Sequence, residues 1–164
     1  MRYAPAAIAL SLVALVASSA SLGQAHDPDP RAVALVAEGR ASLETGQTQE
    51  AIDAFEAALV VDPAYSGVYV ELAAAARAEN LQGKAIKYYR EAQQRDPRNY
   101  AAISGEGEAL IEKGAVENAR RNLARLESLC GEDCAETREL AEAINRGPVL
   151  TAEAITADDG VTQN

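Results

Sequence analysis

One spacing constrains the fold of this chain more than its composition does, because residues of the same character recur every 34 positions. The dipeptide Asp-Pro stands at 62–63 and again at 96–97. Small, bulky and turn-forming residues follow the same step in four columns: Gly39/Ala73/Gly107, Ala51/Ala85/Ala119, Phe55/Tyr89/Leu123 and Gly46/Asn80/Gly114. A fixed period of this length indicates similar structural units stacked along the chain.

Each period divides into two helices joined by a turn. In the second half of the first unit, Ala51, Phe55 and Ala58 are spaced so that they share one helical stripe. Pro63 cannot continue that helix and ends the unit. The pattern predicts six helices, over 31–44, 48–61, 66–79, 83–95, 100–113 and 116–129. The expected N-caps are Asp29, Thr48 and Asn99.

These columns resemble the tetratricopeptide repeat over residues 32–131. The matching residues are Leu35, Gly39, Ala51, Phe55, Ala58 and Pro63 in the first copy, Tyr69, Ala73, Ala85, Tyr89, Ala92 and Pro97 in the second, and Ile103, Gly107, Ala119, Leu123 and Leu126 in the third. The third copy is the least faithful, since Gly131 replaces its last proline. The resemblance implies an all-α, right-handed α-solenoid of three helix–turn–helix repeats that binds proteins and is not an enzyme.

A capping helix is expected after the third copy, because stacked repeats leave their last apolar face uncovered. Residues 134–146 carry an apolar stripe of Leu140, Ala143 and Ile144, and Asp133 with Glu136 has the spacing of a capping box. The repeat domain is therefore predicted to span 31–146. Residues 147–164 lack helical periodicity and are predicted to be a disordered tail.

The N-terminus has the plan of a secretory signal peptide over residues 1–25. Arg2 precedes an uncharged apolar run over 6–17, and small residues follow. A run of about 12 residues is shorter than the roughly 20 that cross a bilayer. We expect cleavage after Ala25 or Ala20, a short linker over 26–30, and a periplasmic or secreted protein with no membrane span. The alternative is an uncleaved N-terminal anchor.

The two cysteines, Cys130 and Cys134, flank the junction between the last repeat and the cap. An even number in an exported protein indicates a structural disulfide. The alternative is a redox or metal carrier that uses this pair. A copper site would need a nearby His or Met, and the only His, His26, is distant in sequence. No cofactor or metal is therefore expected.

The charge balance limits the kinds of partner that the protein can bind. The sequence has 25 acidic and 15 basic residues, a net charge of −10, which argues against a nucleic-acid partner and suits a basic one. A hydrolytic triad needs a His or an equivalent base, and one His near the N-terminus does not supply a site. Three acids of the third copy, Glu106, Glu108 and Glu112, are interpreted as a solvated helix face.

The first helices of such repeats usually line a concave face, where a protein or peptide partner is expected. The predicted partner-binding residues are Val36, Arg40, Leu43, Val70, Ala74, Arg77, Ser104, Glu108 and Ile111. The alternative for Val36, and for Val33 beside it, is packing in the interior. Similar exported proteins serve in envelope assembly and secretion. A structural oligomer, with solenoids stacked end to end, is a further possibility.

Overall fold

The computed structural model describes residues 26–148, and within this range the chain forms seven helices and no strand. The helices are α1 Pro30–Glu44, α2 Thr48–Val61, α3 Gly67–Ala78, α4 Gln82–Arg95, α5 Tyr100–Glu112, α6 Val116–Cys130 and α7 Ala135–Arg146. The predicted signal peptide, and residues 149–164 of the predicted tail, lie outside the described residues. The all-α prediction is confirmed, and each helix begins and ends close to its predicted bounds.

The turns inside the three helix pairs follow the predicted column of turn residues. Gly46, Asn80 and Gly114 have φ angles of 78°, 59° and 81°. These angles are in the left-handed region, which glycine adopts freely and asparagine tolerates. The turn residue therefore sets the short connection between the two helices of each repeat.

Small residues allow close helix approach, but the third repeat uses its small residue differently from the first. In the first repeat, the Phe55 ring lies directly over Gly39, so a Cβ there would clash with it. In the third repeat, a Cβ on Gly107 would lie 2.6 Å from Leu140 Cδ1 of α7. The small residue at position 107 therefore makes room for the cap helix.

Helix α7 continues the row of first helices. Helix α3 packs on α1 and α2, α5 packs on α3 and α4, and α7 packs on α5 and α6 in the same way. Leu140 on α7 is fully buried, which closes the apolar core of the third repeat. The predicted cap is confirmed, and it occupies the place that the first helix of a fourth repeat would take.

Two of the predicted caps form and two do not. Asp29 accepts a hydrogen bond from the Arg31 amide at 2.8 Å, and Asn99 accepts one from the Ala102 amide at 2.9 Å. Helix α2 begins at Thr48 itself, so Thr48 is inside the helix and does not cap it. The predicted capping box at Asp133 is also wrong, because α7 starts one residue too late and places Cys134 at the N-cap.

The predicted linker before α1 is attached to the first repeat. His26 Nε2 lies 2.7 Å from Asp62 Oδ2, and the Asp29 amide donates to the same oxygen at 2.9 Å. The Ala64 amide donates to Asp62 Oδ1 at 3.1 Å. These amide hydrogen bonds and His26 hold the pKa of Asp62 below its usual value. Asp62 thus anchors the chain ahead of α1.

The apolar core consists of two clusters that share aromatic residues. One cluster joins the first repeat to α3, and the other joins α3 to the cap. Tyr69 and Tyr88 pack against both clusters, while Tyr89 is buried in the second. Within residues 26–148, no helix is both long enough and apolar enough to cross a membrane.

Candidate functional site

The first helices of successive repeats are connected by ion pairs. Arg40 Nη2 on α1 lies 2.5 Å from Glu71 Oε1 on α3. Arg77 on α3 in turn binds two carboxylates of α5, through Nη1 to Glu108 Oε2 at 2.7 Å and through Nε to Glu112 Oε1 at 3.1 Å. These pairs form a polar strip along α1, α3 and α5, which is the face where the sequence predicts a partner.

Arg77 is the most constrained charge of this strip. Burial acts to lower the pKa of its guanidinium, but hydrogen bonding to Glu112 and the nearby Tyr89 outweighs burial and raises that pKa. Burial also raises the pKa of the Tyr89 hydroxyl, an effect that Arg77 partly offsets. A guanidinium held by two carboxylates is a rigid, fully charged group at neutral pH.

Two cavities meet at the Arg77–Glu108 pair. The larger has a volume of about 270 Å³. Its lining is Arg77, Tyr89, Ala101, Ser104, Gly105, Glu108, Ala135, Glu136 and Glu139. The smaller has a volume of about 120 Å³. Its lining is Arg77, Glu108, Ile111, Glu112, Ala143, Arg146 and Gly147. We call the two cavities together the groove, and its walls come mainly from α3, α5 and α7.

The groove is acidic. Its lining includes four carboxylates, from Glu108, Glu112, Glu136 and Glu139. Its cationic groups in the described residues are Arg77 and Arg146, and Arg77 is already bound by two of the carboxylates. The excess of negative charge suits a positively charged side chain.

The structure brings together some of the predicted partner-binding residues and separates others. Arg77 and Glu108 are at the centre of the groove, and Ser104 and Ile111 form parts of its floor although both are almost fully buried. Val36 is buried in the core of the first repeat, while Val33 is exposed, so the interior alternative holds for Val36 alone. The remaining predicted residues lie outside the two cavities, on α1 and α3: Arg40, Leu43, Val70 and Ala74.

Sequence reasoning did not identify the contribution of α7. Glu136, Glu139 and Arg146 all line the groove from this helix. The sequence contains a signal that α7 is equivalent to a first helix, because Ala141 stands 34 residues after Gly107 and continues the column of small residues. The cap was interpreted only as a cover for the core, so its exposed side was not considered as a binding surface.

The interpretation of the three α5 acids as a solvated face is wrong for Glu106. This residue is 6% exposed, and it accepts hydrogen bonds from Arg90 Nε at 2.7 Å and Gln93 Nε2 at 2.8 Å. Gln93 Oε1 in turn accepts from Arg125 Nη1 at 2.6 Å. A buried carboxylate requires such partners, and here they connect α4, α5 and α6.

Cys130 and Cys134 face each other across the turn between α6 and α7. Their Cα atoms are 5.7 Å apart and their sulphur atoms are in bonding contact, which meets the geometric requirement of a disulfide. The part of the chain described by the structure contains no group of three or more His, Cys, Asp or Glu residues that could hold a metal ion. Formation of the disulfide in the protein stays a prediction.

Comparison with known sequences finds a similarity in the first two repeats. A family model described as the tetratricopeptide repeat matches residues 32–65 and 66–99. The two matched segments have the same boundaries that the 34-residue period gives for the first two units. No curated protein matches the sequence.

Solved structures confirm the helical-repeat architecture. The chain is 25% identical to the Sgt2 TPR domain from Aspergillus fumigatus, with a TM-score of 0.64 over 84% of this chain and 87% of that one. It is 22% identical to the type III secretion chaperone SycD of Yersinia enterocolitica in complex with a peptide of the translocator YopD, with a TM-score of 0.60 over 77% and 93%. The first TPR of Spaghetti (RPAP3) bound to the HSP90 peptide SRMEEVD gives 22% identity and a TM-score of 0.61 over 71% and 92%.

Proposed function

We propose that this protein is an exported adaptor that binds a basic segment of a partner protein in the groove formed by α3, α5 and α7. The observation that carries the proposal is the excess of carboxylates around the Arg77–Glu108 pair. These groups line the two adjoining cavities on the face where first helices lie side by side. A Lys or Arg side chain entering there would meet acceptors that are already oriented.

Some tetratricopeptide-repeat proteins hold the C-terminal tail of a chaperone with a clamp of Lys, Asn and Arg side chains. The charge of the groove in this chain is opposite to that of such a clamp. The RPAP3 neighbour is bound to a peptide with two glutamates before its C-terminal Val-Asp. In this chain the positions that match the clamp are Val36, Arg40, Glu71 and Ala101. Arg40 is paired with Glu71. An acidic peptide would therefore find few free cations here, which favours a basic one.

Export is supported by residues 1–25 alone, whose arrangement is that of a cleavable signal peptide. The proposed location is the periplasm or the exterior, and the proposed role is the organisation of a protein complex in envelope assembly or secretion. The first residue of the mature protein tests this: His26 or Ser21 supports cleavage, and Met1 contradicts it.

The groove is tested by filling it without altering the core. Ala101 is exposed and lines the larger cavity, so Ala101→Trp should occupy that space while leaving the buried residues in place. Ala124 is also an exposed alanine, on α6, and it is not part of the groove lining, so Ala124→Trp is the matched control.

The measurement is the fluorescence polarisation of a labelled 15-residue peptide rich in Lys and Arg, with a Glu-rich peptide of the same length for comparison. The basic peptide should bind wild type and Ala124→Trp equally, and Ala101→Trp at least tenfold more weakly. Equal binding to both tryptophan variants, or tighter binding of the acidic peptide, would contradict the proposal.

A further inference from the structure

The outer faces of α2 and α4 carry opposite charges at equivalent positions. Three acidic residues of α2 are each followed, 34 residues later, by a basic residue of α4, and the pairs are Glu50 and Lys84, Asp53 and Lys87, and Glu56 and Arg90. All six residues are exposed. The two sets, here called the acidic triad and the basic triad, have the same spacing of three residues and therefore the same arrangement on their helices.

Little of this charge is neutralised within the chain. Among the described residues, none of the acidic triad forms an ion pair, and neither do Lys84 and Lys87. Arg90 is the exception, because its Nε binds the buried Glu106. Five charges of two signs are thus presented to solvent on the second helices of consecutive repeats.

The repeat geometry makes these triads complementary to themselves. Helices α2 and α4 are the second helices of consecutive repeats, so they run in the same direction and their triads lie at the same height along the helix. A two-fold axis parallel to the helices and midway between them would place α2 of one copy opposite α4 of the other. Glu50 would then face Lys84 of the second copy, and Asp53 would face Lys87, twice in each dimer.

We propose that the outer face formed by α2 and α4 binds a second copy of this chain in a closed dimer. Val60 supports the assignment, because it follows the acidic triad on the same outer stripe of α2 and is 83% exposed, the most exposed large apolar side chain in the described residues. Burial against the second copy would remove it from water. The groove lies on the opposite set of helices and remains open in such a dimer.

A second copy fits this surface better than a partner of a single charge. An acidic protein would neutralise only the basic triad, and a basic protein only the acidic one, whereas a second copy neutralises both with one contact. Exposed ion pairs are individually weak, and each chain has a net charge of −10. The dimer should therefore be reversible and should weaken at high salt, where screening acts over about 3 Å.

The test is a charge exchange between two variants, each followed by sedimentation equilibrium at 0.15 M and 1 M NaCl. One variant is Glu50→Lys/Asp53→Lys and the other is Lys84→Glu/Lys87→Glu. Arg90 is left unchanged so that Glu106 keeps its partner. The control is Glu132→Lys/Asp133→Lys, which makes the same change of charge as the first variant, in the exposed turn between α6 and α7. Circular dichroism and thermal unfolding establish that all variants are folded.

Wild type and the control should form dimers at 0.15 M salt, with a dissociation constant at least tenfold higher at 1 M. Each charge variant alone should be monomeric, and an equimolar mixture of the two should recover the dimer, because each then presents the charge that the other lacks. A wild type that stays monomeric at millimolar concentration overturns the proposal. A dimer that survives in either variant alone also overturns it, and so does a mixture that does not form the dimer. Either result would mean that any dimer contact lies on another face.

Discussion

Glu106 is a buried carboxylate on α5, at a position where the preceding repeat has an apolar residue. Charge alone assigned it to a solvated face. However, Leu72 stands 34 residues earlier and is buried, so the register places Glu106 in the interior. What the sequence did not provide was the set of partners, Arg90 and Gln93, that make a carboxylate tolerable there.

Removing the Glu106 carboxylate should destabilise the fold. Glu106→Ala leaves the buried Gln93 amide without one of its acceptors and opens a space between α4 and α5, and we expect the free energy of unfolding to fall by about 2 kcal/mol. Urea denaturation measures the change. Glu117→Ala, an exposed carboxylate in the first turn of α6, is the control. A Glu106→Ala protein within 0.5 kcal/mol of the control, about the spread of surface substitutions, would mean that this carboxylate is solvated after all.

At the scale of helices, the 34-residue period alone predicts six of the seven helices. The apolar stripe around Leu140 predicts the seventh, α7. Periodicity works well here because each helix buries one stripe against its neighbours and is ended by a turn residue with a positive φ or by an Asp-Pro pair. Caps were predicted less well, because they depend on which residue begins the helix, and a shift of one residue removed the capping box at Asp133.

The α6–α7 junction supports a prediction about the disulfide. Cross-linking Cys130 to Cys134 closes a loop of only about five residues, so the chain-entropy model gives it roughly 2 kcal/mol of stability. Reduction should lower the free energy of unfolding by about that amount and should increase amide exchange in the first turn of α7. The double variant Cys130→Ala/Cys134→Ala should match the reduced protein. Two thiols that titrate in denatured protein purified without reductant would contradict the pairing.

The whole molecule is held together by contacts between adjacent repeats, so stability need not be uniform along it. The two core clusters are connected mainly through Tyr69 and Tyr88, which pack against both. The first helix pair has no contact with α7. A disturbance of the cap should therefore reach α5 and α6 directly, and the first repeat only through α3 and these two tyrosines.

Leu140→Ala tests how far that coupling extends. Leu140 is fully buried and packs against Gly107, and truncating a buried leucine costs about 2–5 kcal/mol. The lost packing belongs to the core cluster that joins α3 to the cap. Hydrogen exchange should therefore accelerate more in α5, α6 and α7 than in α1 and α2. Glu142→Ala, an exposed change on the same helix, should leave both regions at wild-type rates. Equal acceleration along the chain would show instead that the repeats and the cap unfold as one cooperative unit.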